Sequence, residues 1–123
     1  MTVLLIDPYR KTIETVNVSG GRPDQSHPAA GLVNALLYTA YNDTQALPDG
    51  DAITYDASGT LGSGPAGAVV DNRLTFGYAI VTAGERLAAS NRAPRLTAEE
   101  LLERTEWIES FSQARAAIQQ IHF

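Results

Sequence analysis

A chain of 123 residues, 44% hydrophobic and 19% charged, has the size and make-up of one folded domain, which argues against disorder over most of its length. It contains no cysteine, so disulfides, thiolate zinc sites, iron–sulfur clusters and cysteine nucleophiles are excluded together. A net charge of −5 disfavours nucleic-acid binding, because phosphate neutralisation calls for a basic balance.

Val3-Leu4-Leu5-Ile6 is an uninterrupted apolar run, the pattern of a strand covered on both faces. Asp7-Pro8 interrupts it early and no basic segment precedes it, so no secretory signal is expected. No stretch approaches the length of a membrane span, and a cytoplasmic protein without membrane contact is expected. Asp7 to Lys11 reads as a turn. Residues 12–18 are rich in β-branched types and predict an antiparallel return strand. Glu14, Val16 and Val18 share one side and Ile13 the other, an imperfect alternation that a bulge or an edge position would explain.

Residues 19–28 predict a loop, with Pro28 suited to open a helix. Ala29 to Tyr41 then carries one broad apolar stripe of Leu32, Val33, Leu36, Leu37 and Ala40, the mark of an amphipathic helix that Asn42-Asp43 ends. Pro48-Asp49-Gly50 is a turn and Ala52 to Asp56 a short strand. Residues 58–67, with four glycines and a proline, predict a loop. Ala68-Val69-Val70 and Arg73 to Thr82 predict a hairpin turning at Asp71-Asn72. In its second arm Leu74, Phe76, Tyr78 and Ile80 share one face and are expected to point inward against helices. A connector over 84–95 leads to a last helix from Thr97 to about Gln120, opened by a Thr97–Glu100 capping box.

Together these elements predict an α+β domain over residues 1–123 in two layers. A four- to five-stranded, mostly antiparallel sheet is packed by two helices, with 112–123 a helix extension or a tail. The expected core is Leu4, Ile6, Leu32, Leu36, Ile53, Phe76, Ile80, Leu101, Ile108 and Phe111.

Chemistry-bearing patterns are sparse. Gly62-Ser63-Gly64-Pro65-Ala66-Gly67 spells the glycine-rich dinucleotide motif, but that motif needs a helix after its last glycine and a hairpin is predicted there. Asp49-Gly50-Asp51 places two carboxylates in a turn without the further oxygen ligands of a calcium loop. His27 and His122 are the only imidazoles, and no nucleophile-elbow pattern surrounds Ser58 or Ser63. No catalytic residue, metal site or cofactor is therefore expected. Candidate binding residues are Tyr9 and Arg10 in the first turn and Arg86, Arg92 and Arg95 in the long connector, where arginine forks suit phosphates and carboxylates. Glu103, Glu106 and Glu109 join them, lying too far along the last helix to serve its dipole and suited to a basic partner.

The order of pieces resembles a known family. Val3-Leu4-Leu5-Ile6-Asp7-Pro8, residues 12–18, Asp51 to Asp56 with Gly59 and Leu61, Gly77 to Val81 and the Leu96-Thr97 helix start carry the likeness. It is to the Domain of Unknown Function 3846 family of short proteins from phages, plasmids and integrated elements, over roughly residues 3–109. The longer arginine-bearing connector and the terminal segment 112–123 depart from the pattern. The resemblance implies no catalytic residues, but a setting: an accessory protein of a mobile element in the bacterial cytoplasm. The expected function is non-enzymatic binding of a host protein or a small ligand, with inhibition of a defence system fitting that setting. The alternative is an enzyme or sensor for a phosphorylated small molecule at the arginine-bearing loop.

Overall fold

The computed structural model describes residues 2–19, 22–38, 42–56, 65–84 and 93–121. In chain order they form β1 (Thr2–Asp7), β2 (Thr12–Ser19), β3 (Arg22–Pro23), α1 (Ala30–Tyr38), β4 (Asn42–Ala46), β5 (Ala52–Asp56), β6 (Gly67–Val70), β7 (Arg73–Phe76), β8 (Ala79–Thr82), α2 (Ala98–Glu103), β9 (Thr105–Ile108) and α3 (Phe111–Ile121). The strands build two sheets, one of six in the order β3-β2-β1-β8-β5-β4 and one of three in the order β7-β6-β9. Every pairing is antiparallel. The fold is α+β as expected, and the two-layer arrangement is corrected.

Side chains on the large sheet alternate between two separate cores. Val3, Leu5, Val16, Val18 and Ile80 pack under α1 with Val33, Leu36 and Leu37. Leu4, Ile6, Ile53, Ala79 and Val81 point the other way and meet Ala68 and Val70 of the small sheet and Leu101 of α2. Val69 and Ile108 leave the small sheet on its far side and pack against Ala114 and Ala117 of α3, with Leu74 beside them. The order is therefore helix, large sheet, small sheet with α2, and helix. Two covered faces account for the unbroken apolar run of β1.

Three expectations fail for local reasons. First, the segment from Arg73 to Thr82 is two strands in two sheets. Gly77 sits at φ 71, a backbone state open to glycine, and its N–H donates to the Ala66 carbonyl at 2.8 Å. Leu74 and Phe76 consequently face the α3 side, where Phe76 is 42% exposed, while Ile80 faces α1. Second, the last helix is broken into α2, β9 and α3. Arg104 caps α2, and Thr105 to Ile108 pair with β6 from Val70 to Gly67. A second capping box starts α3: Ser110 Oγ accepts from Gln113 N–H, and Gln113 Oε1 accepts from the N–H groups of Glu109 and Ser110. Phe111 is 69% exposed, so it and Phe76 leave the core list. Third, Asn42 to Ala46 form β4, which pairs with β5 in continuous register.

Other readings hold. Asp71 and Asn72 both have positive φ, 46 and 64, as a two-residue hairpin turn requires. The Thr97–Glu100 capping box is present in both directions. Residues 12–17 pair with β1 without a bulge, and β3 covers only Val18 and Ser19, so most of β2 is an edge. Gly67 opens a strand, against the dinucleotide motif, whose Gly62, Ser63 and Gly64 lie outside the described residues.

Asp51 is the buried polar tie of the fold. It is 1% exposed, and its carboxylate accepts the N–H groups of Arg95 at 2.8 Å and Leu96 at 3.1 Å. The turn ahead of β5 thereby holds the chain as it enters α2. Asp51→Ala leaves both donors without that acceptor and is expected to cost about 2–4 kcal/mol in urea unfolding. In the same assay Leu101→Ala is expected to cost about 2–5 kcal/mol. Phe111→Ala should stay within about 0.5 kcal/mol of the parent.

A candidate ligand-binding cleft

The β1–β2 turn, β2, the loop before α1 and the crossing at Tyr78 converge at one end of the large sheet. Between them lies a cleft of about 280 Å³ lined by Leu5, Asp7, Arg10, Glu14, His27, Pro28, Ala29, Leu32 and Tyr78. A second hollow of about 340 Å³, beside β3 and α1, is lined by Arg22, Gln25, Ala30, Gly31 and Asn34 and has no aromatic or large aliphatic wall. The first combines apolar walls with a few convergent polar groups, which is the usual make-up of a ligand site.

Local sequence explains how each polar group is placed. Asp7 Oδ1 accepts the N–H groups of Tyr9 and Arg10 at 3.0 and 3.1 Å, closing the turn that proline opens. Lys11 leaves that turn at φ 57. Glu14 shares a face with Val16 and Val18 but is exposed where they are buried, so the chain can seat a carboxylate there. Tyr78 follows Gly77, and its ring lies 5.1 Å from that of Tyr9 at 50°.

His27 is held by a run of short hydrogen bonds. Asp24 N–H donates to the Asn17 carbonyl at 2.8 Å, and His27 N–H donates to the Asp24 carbonyl at 3.0 Å. Asp24 Oδ1 accepts from Ser26 N–H at 3.0 Å and Ser26 Oγ at 2.8 Å. The Ser26 backbone bond, then its hydroxyl, holds the Asp24 carboxyl below its ordinary value of 3.8. Ala29 N–H donates to His27 Nδ1 at 3.0 Å, which assigns the imidazole proton to Nε2. Nε2 faces Glu14 Oε2 at 3.6 Å. One nitrogen is thus occupied as an acceptor and the other presents a donor, an arrangement suited to binding rather than to proton abstraction.

The expected binding residues do not form one surface. Arg10 lines the cleft, with its Nε 4.0 Å from Asp7 Oδ2, and Tyr9, 41% exposed, stands behind the lining with its ring against that of Tyr78. Arg95 lies at the opposite end of the large sheet, where its N–H meets Asp51 and its guanidinium lies over Gly50. The strand register sets these ends roughly 15 Å apart, since Asp7 aligns beyond Ala79 and Asp51 beyond Thr82. Arg86 and Arg92 lie outside the described residues, as does His122. The three glutamates do not share a helix: Glu103 ends α2, Glu106 is in β9, and Glu109 precedes α3 and pairs with Lys11. Arg104 pairs with Asp49 and Asp71, and Glu100 serves the α2 cap. Among the described residues no cluster of three histidines or carboxylates could hold a metal ion.

Glu14, His27 and Tyr78 were not singled out as binding residues from the sequence. The available signals were a carboxylate in register with Val16 and Val18 and a histidine immediately before a helix-opening proline. Compared with known proteins, the chain matches no family model, no curated protein and no solved structure.

Burial pushes the Tyr78 phenol above its ordinary value of 10.0, and Asp7 and then Tyr9 add to the effect while Arg10 opposes it. Burial also raises Tyr55, whose hydroxyl donates to Asp43 Oδ2 at 2.9 Å. The folded chain therefore retains protons that the unfolded chain loses near pH 10, so stability falls as pH rises through the folded values. Absorbance titration at 295 nm is expected to show a component above pH 10 that Tyr78→Phe and Tyr55→Phe each reduce.

Proposed function

We propose that this chain is a small, non-enzymatic ligand-binding protein, with the cleft between the β1–β2 hairpin and α1 as its site. The observation that carries this reading is the convergence of Asp7, Arg10, Glu14, His27 and Tyr78 around one cleft floored by Leu5 and Leu32. His27 supports binding over catalysis because its Nδ1 accepts the Ala29 N–H. A helix face bearing Glu103, Glu106 and Glu109 no longer supports a protein partner, since these residues do not share a helix.

The proposed setting is that of an accessory protein of a bacterial mobile element acting in the cytoplasm. It is supported by the resemblance of residues 3–109 to the Domain of Unknown Function 3846 family. No helix among the described residues is long and apolar enough to cross a membrane.

A panel of metabolite-sized compounds in a thermal-shift assay tests the site. A compound at a hundred times its dissociation constant should add about 2.7 kcal/mol, or roughly 10 °C in Tm for a domain of this size. His27→Ala and Tyr78→Ala should each reduce that shift while retaining a cooperative transition. A ligand whose shift both variants leave unchanged would place the site elsewhere.

A further inference from the structure

The charges around the cleft are not evenly buried. The Asp7 side chain is 15% exposed and that of Glu14 47%, whereas that of Arg10 is 79% exposed. An exposed charge is largely screened by water and salt, and a half-buried one much less. With Nδ1 accepting from Ala29, His27 in this tautomer brings no formal charge. The cleft lining thus carries two carboxylates, of which Asp7 is the more buried, and one cation, which is exposed.

We propose that the cleft binds a small primary amine in its ammonium form, carrying a short aliphatic body. This inference rests on the cleft being a ligand site and names the class of ligand it takes. An ammonium offers three donors and no acceptor, which suits the acceptor oxygens of the Glu14 and Asp7 carboxylates. Tyr78 places an aromatic ring in the lining, and ring faces attract cations. Leu5, Pro28 and Leu32 provide the apolar wall for the aliphatic part. A volume of about 280 Å³ lies near the lower end of ligand sites, which restricts the guest to a few carbons. A phosphorylated guest would meet two carboxylates and no buried cation.

Three probes with one carbon body separate the charge classes: isoamylamine, leucine and 4-methylpentanoate. Each is titrated into the full chain labelled with nitrogen-15 at pH 7, and backbone amide shifts are followed by NMR. Isoamylamine is expected to shift Tyr9, Arg10 and Ala29 saturably, leucine to bind more weakly, and 4-methylpentanoate to leave them unmoved. Glu14→Gln, a change at an exposed side chain, should weaken the amine about tenfold or more, and added salt should weaken it further. Cleft shifts with 4-methylpentanoate equal to or stronger than those with the amine would overturn the ligand class and leave the binding site standing. Amine binding that Glu14→Gln does not weaken would overturn it too. If none of the three probes shifts the cleft, the amine is excluded, and the thermal-shift panel alone then decides whether the cleft binds anything.

Discussion

The architecture depends on one backbone constraint, the left-handed step at Gly77. Within two residues the chain leaves the edge of the small sheet and enters the centre of the large one, where β8 lies between β1 and β5. The Gly77 N–H bond to the Ala66 carbonyl fixes the step against the start of β6. A residue with a Cβ would meet a steric cost in that conformation. The step couples the sheets at one end, and it leaves Tyr78 between strands, free of sheet pairing and in reach of Tyr9. The crossing gives the cleft its Tyr78 wall, and the rest of the lining comes from the β1–β2 hairpin, the loop before α1 and α1 itself.

Polar contacts also tie distant parts of the chain together, and they differ in kind. Arg104 joins the Asp49 turn and the Asp71 turn, and Lys11 reaches Glu109 across from the first hairpin. These pairs are exposed or partly exposed, so each contributes little by itself. Asp51 is different because it is buried and accepts two main-chain donors that would otherwise go unmet. The two carboxylates of the Asp49-Gly50-Asp51 turn thus have separate structural tasks, which removes the basis for reading them as a shared cation site.

Most of the elements were legible in the sequence, because their signals are local. The double-faced run at Val3–Ile6, the turn at Asp71-Asn72 and the Thr97 capping box each depend on neighbours a few residues away. What was not legible depends on partners far along the chain. Thr105 to Ile108 become a strand only because β6 is there to pair with them, so a helical period continued across the Arg104 cap. The alternation from Leu74 to Ile80 looked like one strand because a glycine inside it can be either an ordinary small residue or a break. The Ser110–Gln113 cap was readable and marked a new helix start. Of the cleft, Arg10 was visible as a turn residue, whereas Glu14 and His27 are joined by a loop whose path the sequence does not disclose.

The borders of the large sheet bear on how this protein behaves in a crowded solution. At one side β3 contributes two residues and ends in Pro23, which has no main-chain donor to offer a neighbouring molecule. At the other, among the described residues, nothing pairs with the outer edge of β4, and its Asn42-Asp43-Thr44-Gln45 sequence is polar and carries a negative charge. A foreign strand seeking to extend the sheet would meet a two-residue strand ending in proline and the β2 edge that carries the exposed Glu14 on one flank, and a polar, charged strand on the other. Both discourage the strand-to-strand stacking that seeds fibrils.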